Sequence, residues 1–131
     1  MKYYIATGLH NTEQYRYVHE RVGGILTYDW AIHGPAWDQG ADRLRQVADA
    51  ELEGVEAADF LIVLLTGGRD THVELGYGLA LKKKILLYSE NRELFQLQPE
   101  TCAFYHSDRI FLRTTQLGVL IETAKLLLEG L

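Results

Sequence analysis

Residues 59–65, DFLIVLL, limit the fold more than any other stretch. The run after the aspartate is apolar at every position and β-branched at Ile62 and Val63. It is too short for a core helix and has no polar face, which is the pattern of a strand buried on both sides. Strands of that kind sit inside parallel sheets whose two faces are covered by helices.

The flanking segments fit such a sheet. Residues 2–7, KYYIAT, read as a strand that ends at Gly8, and ILTYDW reads as a second strand. KILLYS and RIFLR supply a fourth and a fifth. Helical patterns lie between them. NTEQYRYVHERVGG places Tyr15, Val18, His19 and Val22 on one stripe, with Asn11 or Thr12 as cap and a glycine pair as stop. A long helix is expected over 42–57, another over 71–82, and an amphipathic one in TTQLGVLIETAKLLLEGL. Residues 31–40 read as a loop broken by Gly34, Pro35 and Gly40, and 90–108 as irregular with a short helical piece near 92–97. Alternation from end to end predicts one α/β domain over 1–131: a five-stranded parallel sheet flanked by helices on both faces, flavodoxin-like or Rossmann-like in order. Ligands of such sheets bind beyond the carboxyl ends of the strands, at the switch point. The residues to question are therefore 4–10, 28–37 and 66–74.

Composition removes several function classes. The net charge is −5, and the one basic cluster, the lysines at 82–84, follows a helix and reads as compensation for a helix C-terminus. No nucleic-acid partner is expected. The single cysteine, Cys102, excludes an internal disulfide and fits a reducing compartment. No metal-ligand spacing, signal segment or membrane-length apolar run is present, so the expectation is a cytoplasmic, soluble protein without a metal. The loop after the first strand, ATGLHNT, is neither a dinucleotide fingerprint nor a phosphate-binding P-loop, and no cofactor is expected.

Three strand-end groups carry chemistry, each with a plain alternative. Glu74 closes Thr71-x-x-Glu74, which is either a capping box or a carboxylate beside helix amides that keep it ionised, as a nucleophile requires. Glu51 projects from the apolar stripe of Leu44, Val47, Ala48, Val55 and Ala58; it either snorkels to the rim or faces a polar cavity. Tyr4 is either a packed strand aromatic or a hydroxyl that positions a carboxylate. Beyond the second strand, Asp29, Trp30, His33 and Trp37 either cover the sheet edge or recognise a planar ring.

KYYIATG, ELEGVEAADFLIVLL and GGRDTHVELGYGLALKKKILL together resemble the nucleoside 2-deoxyribosyltransferase family, which includes nucleotide N-glycosidases. The resemblance covers residues 1 to about 89 and implies retaining cleavage or transfer of an N-glycosidic bond. It implies Glu74 as nucleophile, Tyr4 as its positioner and Glu51 as the acid that handles the base, where the family more often has aspartate. With the strand-end residues Asp29 and Trp30, the substrate-binding set is Thr7, Gly8, Asp29, Trp30, Gly67, Gly68, Asp70 and Tyr77, with Asp70 standing where the family more often has glycine. The substrate implied is a small nucleoside or nucleotide, and the assembly a homodimer or larger homo-oligomer. GGRDTHVE also resembles the glycine-rich motif of lysine-decarboxylase-like phosphoribohydrolases, and a non-catalytic nucleotide-binding module is the remaining alternative.

Overall fold

The computed structural model describes residues 1–130. The strands are β1 (Lys2–Ala6), β2 (Ile25–Leu26), β3 (Phe60–Leu64), β4 (Lys84–Tyr88) and β5 (Leu112–Thr114). They pair in parallel throughout, in the order β2–β1–β3–β4–β5. The apolar run lies at the centre, with every residue of β3 buried. This is the flavodoxin-like order, and its switch point falls between β1 and β3.

Four helices cover the sheet: α1 (Thr12–Val22), α2 (Ala41–Ala57), α3 (Arg69–Ala80) and α4 (Leu117–Leu128). α2 and α3 pack together, α2 on β1 and α3 across β1, β3 and β4, while α4 lies on β4 and β5 beside α1. Tyr3 and Tyr4 alternate across β1 as strand geometry requires. Tyr3 stacks flat on Phe60 and donates its hydroxyl to the Gly23 carbonyl at 2.6 Å. Tyr4 points towards α2 and α3. Two glycines let those helices approach. A β-carbon on Gly54 would stand 3.0 Å from the Tyr4 ring, and one on Gly78 would stand 2.8 Å from Leu61.

Several elements depart from the sequence-based expectation. β2 has two residues: the Thr27 amide still pairs with the Tyr3 carbonyl (2.9 Å) while its hydroxyl bonds the Gly54 carbonyl (2.7 Å), and the chain then bends to bring the Trp30 indole to the Ile5 carbonyl. β5 begins at Leu112 rather than at Arg109. Ile110 closes a turn onto Ser107, and Phe111 stays half exposed with the Lys84 ammonium 5.2 Å over its ring. The 31–40 loop contains two short 3₁₀ turns, Trp30–Ile32 and Trp37–Gln39, and 90–108 contains two more, Arg92–Phe95 and Ala103–His106. Within the lysine cluster, Lys83 donates to the Glu56 carbonyl at 2.7 Å, so it serves the C-terminus of α2 rather than that of α3, which it follows. Among the described residues no helix is long and apolar enough to cross a membrane.

Candidate active site

Beyond the carboxyl ends of β1 and β3 lies a cavity of about 390 Å³, open to solvent on one side. The loop after β1 forms its floor with Thr7 and Gly8, α3 contributes one wall with residues 68–71 and Glu74, and α2 contributes the other with Leu44, Val47 and Glu51. The 30–37 segment closes the remaining side. Thr7 is fixed by donating to the Leu64 carbonyl (2.8 Å) and accepting from Asn11 (3.0 Å). Trp30 is buried, packs on Tyr15 and donates its indole N–H to the Ile5 carbonyl at 2.8 Å.

The capping-box reading of Glu74 fails on geometry. α3 starts at Arg69, not Thr71, and the Thr71 hydroxyl accepts the Gly68 amide at 3.1 Å. Glu74 is thus a full turn inside the helix, 5% exposed, and accepts the Tyr4 hydroxyl on Oε2. The same geometry removes the reason to expect a permanently ionised carboxylate, because the field of helix amides fades after the first turn. Burial dominates and pushes Glu74 up to about 8; the Tyr4 hydrogen bond opposes this, while the charges of Glu51 and Asp70 add to it. Glu51 is half-buried and is raised to about 7, by burial first and then by Asp70. It lines the same cavity as Glu74 rather than snorkelling away from it. The two acids therefore share an opening, and near neutral pH the free site retains protons on them. Burial and the neighbouring carboxylates raise the Tyr4 phenol as well, which keeps it a donor.

Of the other residues named from sequence, Gly8, Gly68 and Asp70 line the cavity with Thr7 and Trp30, but three do not. Asp29 is held inward, accepting the Tyr15 hydroxyl (2.9 Å) and the Ala31 amide (3.3 Å) on one oxygen, so it caps a turn. Gly67 has φ of +68° and lies against Thr71, where a β-carbon would approach to 2.5 Å; its role is the turn into α3. Tyr77 extends away along α3, and its hydroxyl reaches the Glu56 carboxylate on α2. The sequence reading missed Arg69, which joins the wall once the helix is started at the glycine pair. His33 also lines the cavity, and its Nε2 is the one buried side-chain nitrogen or oxygen without a partner among the described residues.

Tyr4→Phe keeps the ring but removes the interaction that lowers the proton affinity of Glu74. Any activity that needs ionised Glu74 is expected to have its acid-side midpoint moved to higher pH; a pH–rate profile checks this.

The family model described as nucleoside 2-deoxyribosyltransferase matches residues 3–130. Among solved structures, a CMP N-glycosidase, BcmB, from Clostridium botulinum is similar, with a TM-score of 0.58 at 15% sequence identity, covering 97% of this chain and 99% of that one. No curated protein matches the sequence.

Proposed function

Because the chain belongs to the nucleoside 2-deoxyribosyltransferase family, we propose that it cleaves or transfers the N-glycosidic bond of a (deoxy)nucleoside or nucleoside monophosphate through a glycosyl ester on Glu74. The observation that carries this reading is the buried Glu74 carboxyl, held by Tyr4 at the switch point and facing the same cavity as Glu51.

The roles follow from position. Ionised Glu74 attacks the anomeric carbon while the C–N bond breaks and its electron pair leaves with the base. Glu51, protonated, gives its proton to the departing base nitrogen. Tyr4 holds Oε2, leaving the second oxygen of Glu74 to form the ester. A second base or a water then attacks the same carbon from the vacated side, Glu51 takes up the proton, and the ester opens. Two displacements give net retention, the logic of glycosidases that use paired carboxyl groups. Thr7, Gly8, Trp30, Gly68 and Asp70 surround the place a nucleoside would occupy.

The direct test is incubation with a panel of deoxynucleosides and their monophosphates, with chromatography for free base. Release from at least one is expected, and an acceptor base in the same mixture separates transfer from hydrolysis. Absence of release across the panel, with binding retained, would favour a nucleotide-binding module instead.

The assembly belongs to the same reading. α2 buries only Gly54 and Val55 of its length, Trp37 and Leu44 of the cavity lining are exposed, and Ile32 and Val73 on the neighbouring elements are exposed as well. Exposed large apolar side chains of this sort suit a subunit contact. Sedimentation velocity is expected to show a homodimer or larger species, and Leu44→Glu to shift it towards monomer.

A further inference from the structure

His72 lies in the first turn of α3, between the cavity loop and the 90–108 segment, and both of its ring nitrogens are bonded. Nδ1 is 2.8 Å from the Gly68 carbonyl, and Nε2 is 2.6 Å from the Tyr105 hydroxyl. A carbonyl only accepts, so in the neutral ring Nδ1 carries the hydrogen and Nε2 receives the Tyr105 O–H. Tyr105 is itself fixed: it is buried, meets Phe95 edge-on and accepts the Arg113 guanidinium at its carbonyl (2.5 Å). Tyr105 thereby anchors α3 to the 90–108 segment of the same chain.

What His72 holds is the least constrained backbone in the site. Gly67 is left-handed and Gly68 fully extended, and glycine gives neither any steric guidance. Gly68 is nonetheless tied at both ends. Its amide donates to Thr71 Oγ1, and its carbonyl accepts both the His72 amide (3.3 Å) and the His72 ring. Because a peptide unit is planar, drawing the Gly68 carbonyl into the helix aims the Arg69 N–H out of its N-terminal end. Gly68 has no side chain with which to cap that end, and residues 68–71 form the cavity wall there.

Resting on the reading of Glu74 as nucleophile, we propose that His72 is a positioning residue for the reaction. Through Nδ1 it sets the orientation of the Gly68–Arg69 peptide against the bound sugar, a role separable from its second bond, which docks the 90–108 segment.

Two substitutions separate the bonds. His72→Asn places an amide nitrogen where Nδ1 stands, keeping Gly68 and losing Tyr105. His72→Gln reaches to where Nε2 stands, keeping Tyr105 and losing Gly68. For base release, His72→Asn is expected within about threefold of the parent kcat, and His72→Gln to fall about tenfold or more in kcat with KM little changed. Melting temperature is expected to rank the two in the opposite order. Activity that follows melting temperature, or that is equal in both variants, would overturn the proposal. A readout independent of turnover is hydrogen exchange at the Gly68 amide, expected faster in His72→Gln and unchanged in His72→Asn. If the parent protein releases no base, the glycosidase reading fails on its own, and faster exchange confined to His72→Gln still supports His72 as the holder of the loop, whereas its absence overturns that too.

Discussion

Glu74→Ala is expected to lower base release by about 10³-fold or more while the chain still folds. The carboxyl forms the proposed ester, so its removal takes away the nucleophile. Glu74→Gln is expected to be equally inactive, and it adds a stability signature that an ordinary structural glutamate would not give. The folded-state affinity of Glu74 for its proton is raised, to about 8. A raised carboxyl stabilises the fold fully below the unfolded carboxylate range, and that contribution is lost as pH rises through about 8. At roughly 1.4 kcal/mol per unit, ionising this buried group removes a few kcal/mol of stability. The parent protein is therefore expected to melt at lower temperature at pH 9 than at pH 6, and Glu74→Gln to flatten much of that slope. Melting curves across pH, read beside base release, check both halves. An active Glu74→Gln protein would remove Glu74 from the chemistry.

The second large effect concerns the pair. With Glu74 as nucleophile and Glu51 as acid, kcat/KM rises as Glu74 ionises and falls as Glu51 does. Burial raises both, to about 8 and about 7, and the charge of Glu51 adds to the rise of Glu74, so the two carboxyls titrate as a pair. The expected profile is a narrow bell centred between the two values, with midpoints that belong to the coupled pair. Glu51→Gln is expected to lower the rate about 10²-fold or more for bases that leave only when protonated, and to abolish the alkaline fall. It also removes a charge that raises Glu74, so the acid-side rise moves to lower pH. An alkaline fall that persists in Glu51→Gln would assign the acid to another group.

Much of this was legible before the structure. The buried run at 59–65 implied a parallel sheet, and the helical wheel placed Glu51 on the stripe that does face the cavity. What escaped the sequence was decided by tertiary geometry. Thr71-x-x-Glu74 matches a capping box, but two glycines let the helix begin earlier and moved Glu74 past the reach of the end amides. Tyr77 shares a motif with Glu74, yet its hydroxyl donates to the Glu56 carboxylate on α2. Asp29 stands near the switch point, but the 3₁₀ turn beside it takes its oxygen. The edge strands β2 and β5 were misplaced at their ends because an edge pairs on one side only, and local turns at Thr27 and Ile110 set where pairing begins and stops. The bond between His72 and Tyr105 joins residues 33 apart that no local pattern connects.

The central claim is that the sugar becomes bonded to Glu74. It is tested most directly with a 2-deoxy-2-fluoro nucleoside that carries a good leaving base, since fluorine beside the anomeric carbon slows both formation and opening of the ester while the good leaving base restores formation, so that the ester accumulates. Intact-protein mass spectrometry is expected to show a gain of one fluorosugar, and peptide mapping to place it on Glu74. Release of base without any adduct at Glu74, or an adduct carried by a different residue, would contradict it.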